Sequence, residues 1–109
     1  MMQSETGEPS PKWVVLNLDG RFDTDTAPKI RTNSLKVALK KDVQHLEMNF
    51  SKIVCADSSS VAVMVEVFRA VQAKGGWVRF TGLDANTLRM ISLSGLDELF
   101  SNVVIAEVE

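Results

Sequence analysis

The sequence has little of the residue types on which metal and redox chemistry depend. It contains one cysteine, Cys55, and one histidine, His45, among 109 residues. A single cysteine cannot form an internal disulfide, and the two residues together supply too few soft ligands for a zinc or iron centre within one chain. The sequence therefore predicts a domain without a metal centre, and nothing in it indicates a cofactor.

Basic charge and long apolar runs are also scarce. Twelve lysines and arginines stand against 14 aspartates and glutamates, and the net charge of -2 gives no basic field for a phosphate backbone. No apolar run approaches the roughly 20 residues that a membrane span needs. The first ten residues, MMQSETGEPS, lack the basic start and apolar stretch of a secretory signal. We expect a cytoplasmic protein that neither inserts into a membrane nor binds nucleic acid directly.

Motifs that carry catalysis are missing as well. The sequence has no Gly-x-Ser-x-Gly elbow, no phosphate-binding loop and no dinucleotide fingerprint. Cys55 lies in the apolar run Ile53-Val54-Cys55-Ala56, which is typical of a small core residue rather than a reactive thiol. We therefore predict that the protein is not an enzyme.

The length fits one domain with one hydrophobic core. Residues 1–11 are interpreted as a disordered tail and residues 12–109 as the domain. Residues 13–18 are rich in β-forming side chains and predict a strand, and Asp19-Gly20 predicts a hairpin turn into a second strand at 21–23.

Helices are predicted near 26–41, 58–74 and 84–92 from cap residues and apolar spacing. The second is ambiguous, because the run Val61-Ala62-Val63-Met64-Val65 is rich in β-branched residues. Three serines that can cap a helix precede this run, and Gly75-Gly76 terminates it, so we interpret it as a buried helix.

Further strands are predicted at 45–56, at 77–81 and at 103–105, which gives the element order ββαβαβαβ. Alternating strands and helices of these lengths are typical of an α/β domain. The fold expected is a single α/β domain with a mixed sheet of four or five strands and with helices packed mainly on one face.

The segment from Asn49 to Met64, NFSKIVCADSSSVAVM, resembles the central signature of STAS domains: a strand, a short loop, Asp-Ser-Ser and a buried helix. Three other segments occur in the same order as in the family, namely LDGRFD at 18–23, Gly75-Gly76 before a strand, and SGLDELF at 94–100. The resemblance covers about residues 13–108. Two positions depart from the pattern, since Ser60 replaces the usual glycine and Asn49 a frequent aspartate.

The resemblance implies an anti-sigma factor antagonist, a protein-binding switch phosphorylated on Ser58. In the unphosphorylated state it would bind an anti-sigma factor serine kinase and release a sigma factor, and a serine/threonine phosphatase would act on the phospho-form. The partner-binding residues implied are Asp57, Ser58, Ser59, Ser60 and Asp23. The domain could also pair with a second copy of itself.

Two alternatives remain open at this stage. Ser58 could be an ordinary helix cap without regulatory meaning, and Asp57 could be either an N-cap or a group that orients an incoming hydroxyl or a kinase's metal. Some single STAS domains act as scaffold subunits on the cytoplasmic ATPase of a membrane transporter of the lipid or ABC type. Such a role is the alternative function.

Overall fold

The computed structural model describes residues 12–101 and 104–105, and the predicted tail at 1–11 lies outside them. The elements alternate regularly: β1 (Val14–Phe22), α1 (Ala27–Ala38), β2 (His45–Ala56), α2 (Ser58–Ala73), β3 (Trp77–Thr81), α3 (Ala85–Leu93) and β4 (Val104–Ile105). All three predicted helices are confirmed to within three residues at each end. The segment with strand-like composition is the helix α2, and seven of its side chains are buried.

The sheet is wholly parallel, with the strand order β1-β2-β3-β4. The prediction of a mixed sheet is therefore wrong. Three strands have five or more residues, and β4 is a two-residue segment that pairs with Phe80 and Thr81. The sheet thus has three strands of ordinary length and a two-residue fourth, where four or five strands were expected.

The predicted hairpin at Asp19-Gly20 is also wrong. Gly20 takes a φ of 78°, but the chain continues, and Phe22 still pairs with Ala56 of β2. The register between β1 and β2 shifts on both sides of this point, so the glycine serves an irregularity within one strand rather than a turn. One strand is lost from the expected order, which becomes βαβαβαβ.

The two faces of the sheet differ. Leu46, Met48 and Phe50 of β2 point to one face and are buried among the helices. On the opposite face Glu47 accepts hydrogen bonds from Arg79 at 2.9 Å and from the Thr81 hydroxyl at 2.8 Å. Buried residues of all three helices belong to the same core cluster as Leu46, Met48 and Phe50, so the helices pack on their face of the sheet.

Strand β2 outlasts its neighbour, and this exposes its carboxyl-terminal half. Pairing with β3 ends at Asn49 and Thr81, so residues 52–56 pair with β1 alone. Cys55 is exposed there, and Val54 is 78% exposed. The prediction of a core cysteine is wrong. This end of β2 extends beyond β3, so its side chains lack the neighbours that would bury them.

Candidate functional site

The residues predicted to form the site meet where β1 and β2 end. Both strands run in the same direction, so their carboxyl ends lie at one edge of the sheet, the position where α/β sheets commonly bind ligands. The N–H of Asp57 donates to the carbonyl of Phe22 at 3.1 Å, and this bond connects the ends of the two strands. Residues 23–26 lead from there into α1, and Ser58 begins α2.

Asp57 is the N-cap of α2, in an extended conformation. Its Oδ1 accepts the N–H of Ser59 at 2.9 Å and also the Ser59 hydroxyl. Its Oδ2 accepts the N–H of Thr24 at 3.2 Å, with the Thr24 hydroxyl at 3.3 Å. Of the two roles left open for Asp57, the structure shows the cap, with both carboxylate oxygens engaged inside the domain.

These bonds favour the ionised form of the carboxyl group. The Ser59 hydroxyl contributes most, followed by the Ser59 N–H, and the pKa of Asp57 lies below its ordinary value. Asp57 therefore places a fixed negative charge at the start of α2, where the helix dipole stabilises it.

The three serines have different surroundings although they are consecutive. Ser58 is exposed, Ser59 is half-buried and Ser60 is fully buried. The Ser60 hydroxyl donates to the carbonyl of Asp57 at 2.8 Å. Among the described residues, no partner accepts from or donates to the Ser58 hydroxyl. Ser58 thus carries the accessible hydroxyl of the group.

Ser60 shows how the helix accommodates a side chain where the family usually has glycine. Its backbone N–H donates to the Asp57 carbonyl at 3.0 Å, and its hydroxyl bonds to the same oxygen. The helix therefore starts at Ser58 without a left-handed residue, since no non-glycine residue described has a positive φ.

Asp23 organises the neighbouring loop. It is 9% exposed, and its carboxylate accepts from Arg21 Nε at 2.7 Å and from the N–H groups of Asp25 and Thr26 at 3.0 and 3.1 Å. The Arg21 side chain is the main cause that holds the pKa of Asp23 below its ordinary value. The structure therefore brings Asp23 to the same edge as Ser58, with its carboxylate turned to its own loop.

An open groove of about 360 Å³ runs from the site between α1 and α2. Its lining includes Ser59 and Thr24 of the site together with the apolar side chains of Ala27, Ala62 and Val63. Arg31 and Glu66 form a bidentate ion pair with N–O distances of 2.6 and 2.9 Å. Sequence reasoning missed Thr24, Arg31 and Glu66, because their contacts join residues more than 30 positions apart and leave no local signal.

Other residues singled out from the sequence lie elsewhere. His45 begins β2 as predicted and packs against Trp13 and Trp77, with ring centroids 5.1 and 6.4 Å apart. Met48 and Met64 are fully buried core residues. Met90 is half-buried against the core.

The described residues contain neither a membrane-spanning helix nor a cluster of metal ligands. None of the helices in that part of the chain is long and apolar enough to cross a membrane. No group of three or more histidine, cysteine, aspartate or glutamate side chains there is placed to hold a metal ion.

Known proteins match this chain in sequence and in fold. An anti-sigma F factor antagonist of Paenibacillus polymyxa is 20% identical over 83 residues, which are 76% of this chain and 71% of that protein. The structure of the anti-sigma factor antagonist SpoIIAA in its unphosphorylated form is 21% identical with a TM-score of 0.71, over 92% of this chain and 84% of that one.

The STAS domain of a SulP transporter from Vibrio cholerae is similar in fold as well, at 16% identity and a TM-score of 0.65 over 93% of this chain and 77% of that one. At these identities the structural likeness concerns the fold. The family model described as STAS domain matches residues 6–109, which include the whole site. With a match of that extent, the chain belongs to the STAS domain family.

Proposed function

We propose that this chain is an anti-sigma factor antagonist whose binding to an anti-sigma factor serine kinase is controlled by phosphorylation of Ser58. The observation that carries the proposal is the exposed hydroxyl of Ser58 in the first turn of α2, beside two serines whose hydroxyls bond to Asp57. The similarity to the Paenibacillus polymyxa antagonist and to SpoIIAA supports the choice of partner.

A phosphate on Ser58 is compatible with the fold. It adds about 1.5 to 2 negative charges at pH 7, at a helix amino terminus where backbone N–H groups and the helix dipole favour an anion. The group projects from an exposed position, so it displaces no core side chain. The fold stays the same and the surface changes.

Binding is where the phosphate acts. The hydrogen bonds from Ser59 and Thr24 hold the pKa of Asp57 below its ordinary value, so a phosphate on Ser58 adds its charge beside a carboxylate that is already ionised. Burying an unpaired charge in an interface costs about 3–5 kcal/mol, which corresponds to a loss of roughly a hundredfold or more in affinity. The unphosphorylated form therefore binds the kinase and releases the sigma factor.

Asp23 supports this surface from within its loop. Its bonds to Arg21 and to the start of α1 fix residues 23–26 next to Asp57, so we assign it to the partner-binding region by the shape it maintains. A serine/threonine phosphatase that removes the phosphate completes the cycle, and the protein acts in the cytoplasm by binding rather than by catalysis.

The test is a pull-down from the native cell with intact-mass analysis of the recovered chain. We expect a serine kinase with an anti-sigma role as the main partner and an added mass of one phosphate on a fraction of the chain. Peptide mapping should place that phosphate on Ser58, and Ser58→Ala should still capture the kinase while it carries no phosphate. A recovered chain without phosphate on Ser58, with no kinase captured, would contradict the proposal.

A scaffold role is the second candidate, and the structural likeness to the STAS domain of a SulP transporter is the observation in its favour. In this role the domain docks on a cytoplasmic ATPase of a lipid or ABC-type transporter. The same pull-down separates the two candidates, because a transporter ATPase recovered with an unmodified chain replaces the switch by the scaffold.

A further inference from the structure

A switch built on three consecutive serines has to restrict the phosphate to one of them. Ser58, Ser59 and Ser60 carry the same hydroxyl within one turn of α2. Ser60 is 0% exposed, so its hydroxyl is not accessible to a kinase. Ser59 is only half-buried and lines the open groove, so burial alone does not exclude it as a phosphorylation site.

Asp57 is what distinguishes Ser59 from Ser58. One carboxylate oxygen receives both the N–H and the hydroxyl of Ser59, so the side chain is held in a rotamer that points back to the cap. Hydrogen bonds to an ionised acceptor are roughly twice as strong as those between neutral groups. Within the described residues, the Ser58 hydroxyl has no such bond.

We propose that Asp57 selects Ser58 for phosphorylation by sequestering the hydroxyl of Ser59. This makes Asp57 a positioning residue of the switch whose main contact lies inside the domain. The inference rests on the proposed function, since it names the device that confines the phosphate to one serine.

The chemistry of phosphoryl transfer gives the reason. The serine Oγ attacks the γ-phosphorus of a nucleoside triphosphate held by the kinase, and a new O–P bond forms as the bond from that phosphorus to the bridging oxygen breaks. The nucleoside diphosphate leaves, and the hydroxyl proton passes to a base of the kinase. At Ser59 the anionic phosphoryl group would have to approach within contact of the Asp57 carboxylate, and like charges at that distance repel.

Thr24 fixes the orientation of the carboxylate. Its N–H lies 3.2 Å from Oδ2, and its hydroxyl at 3.3 Å is a longer and weaker contact. With Oδ2 held by the β1–α1 loop, Oδ1 stays directed at Ser59. The neighbouring loop therefore takes part in the selection although it contributes no serine.

The first test needs no kinase. The Ser59 hydroxyl is the largest of the causes that lower the pKa of Asp57. We expect Ser59→Ala to raise the pKa of Asp57 in a carboxyl ¹³C NMR titration, whereas Ser58→Ala leaves the pKa at its wild-type value. Equal shifts in the two variants, or no shift in either, would show that Ser59 is not sequestered and would overturn the inference whatever partner is found.

The second test uses the kinase recovered in the pull-down together with ATP, and maps phosphate by peptide mass. Ser58→Ala should incorporate at least tenfold less phosphate than wild type. The double variant Asp57→Gly/Ser58→Ala should regain at least tenfold, on Ser59. Glycine is chosen because it remains an acceptable N-cap and keeps the helix start. The matched control is Asp84→Gly/Ser58→Ala, which makes the same substitution at the N-cap of α3 and should regain nothing.

Each other outcome has a defined meaning. Phosphate on Ser59 in the single Ser58→Ala variant that disappears in the double variant shows that Asp57 activates Ser59, which overturns the inference. A double variant that stays unmodified, while Asp57→Gly alone is still phosphorylated on Ser58, overturns it as well. A wild-type chain that no recovered kinase phosphorylates contradicts the proposed function, and the titration then decides the inference by itself.

Discussion

At the residue scale, three aspartates perform related work in the described chain. Asp57 and Asp84 cap α2 and α3, and Asp23 holds the loop before α1. Each accepts hydrogen bonds from backbone N–H groups, and the pKa of each lies below its ordinary value. Short acidic side chains thus set the positions at which the helices begin.

This pattern predicts a loss of stability in acid. A carboxyl group whose pKa is lower in the folded state stabilises the protein above the unfolded pKa, and the contribution disappears as the pH falls through the folded pKa. We expect the free energy of unfolding, measured in urea, to decrease as the pH is lowered beyond about 4. Asp84→Asn, which keeps a neutral cap, should make that fall smaller. An unchanged acid limb in this variant would contradict the role of Asp84.

Ser60 gives a second prediction at this scale. Its buried hydroxyl bonds to the Asp57 carbonyl, so Ser60→Gly removes a hydrogen bond and adds backbone freedom to the unfolded chain. We expect a destabilisation of about 1–2 kcal/mol, measured by urea unfolding. A variant as stable as wild type would show that the serine is only tolerated in place of the family's glycine.

How far the sequence predicts the site depends on whether a contact is local. Asp57 and the three serines that follow it form a local pattern at the start of a helix, so the cap role of Asp57 could be proposed from the sequence. The bond from Thr24 to Asp57 spans 33 positions, and the exposure of Cys55 depends on where β3 ends. Neither has a local signal, so only the folded chain shows them.

At the scale of elements, helices were easier to predict than strand pairing. Cap residues and terminal glycines identify α2 as a helix although its composition favours a strand. These signals are local, because the residues that cap a helix lie next to its ends in the sequence. Strand direction depends on partners elsewhere in the chain. An Asp-Gly pair therefore predicted a hairpin where the structure has a strand irregularity at Gly20.

The contact between α1 and α2 offers a test at the element scale. Arg31 and Glu66 join the helices through a bidentate pair, and their side chains are 49% and 43% exposed. Water screens such a pair, so we expect a coupling energy of about 0.2–1 kcal/mol in a double-mutant cycle with Arg31→Ala and Glu66→Ala. A coupling well above this range would mean that the pair, rather than apolar packing, fixes the two helices.

At the scale of the whole molecule, a chain of phenylalanines joins the sheet to the helices. Phe22 stacks on Phe50, which contacts Phe80, and Phe100 packs against both Phe80 and Phe68. Phe80 lies in the middle of the series and is fully buried. The core thus connects β1 at the site edge with the segment after α3.

We therefore expect Phe80→Ala to destabilise the domain by about 3–5 kcal/mol, a large share of the roughly 5–15 kcal/mol that holds a domain of this kind folded. The matched control is Trp77→Ala on the same strand, since Trp77 is 64% exposed and should cost far less. Similar losses in the two variants, measured by urea unfolding, would contradict the position of the core.

The core that stabilises the domain and the proposed phosphorylation site involve different residues. The core residues lie between the helices and one face of the sheet, whereas Ser58 is at the edge and bonds to no described side chain. A charge at Ser58 should therefore change binding and leave folding almost unaffected, with a carboxylate at a helix amino terminus worth only about 0.3–1 kcal/mol.

The most direct measurement is calorimetric binding of the captured kinase to wild type, Ser58→Ala, Ser58→Asn and Ser58→Asp, with the melting temperature of each. Asparagine has the shape of aspartate without its charge. We expect affinities within about tenfold of wild type for alanine and asparagine and a loss of roughly a hundredfold for aspartate, at similar melting temperatures. Wild-type affinity for Ser58→Asp, or an equal loss for Ser58→Asn, would contradict a charge-based switch at Ser58.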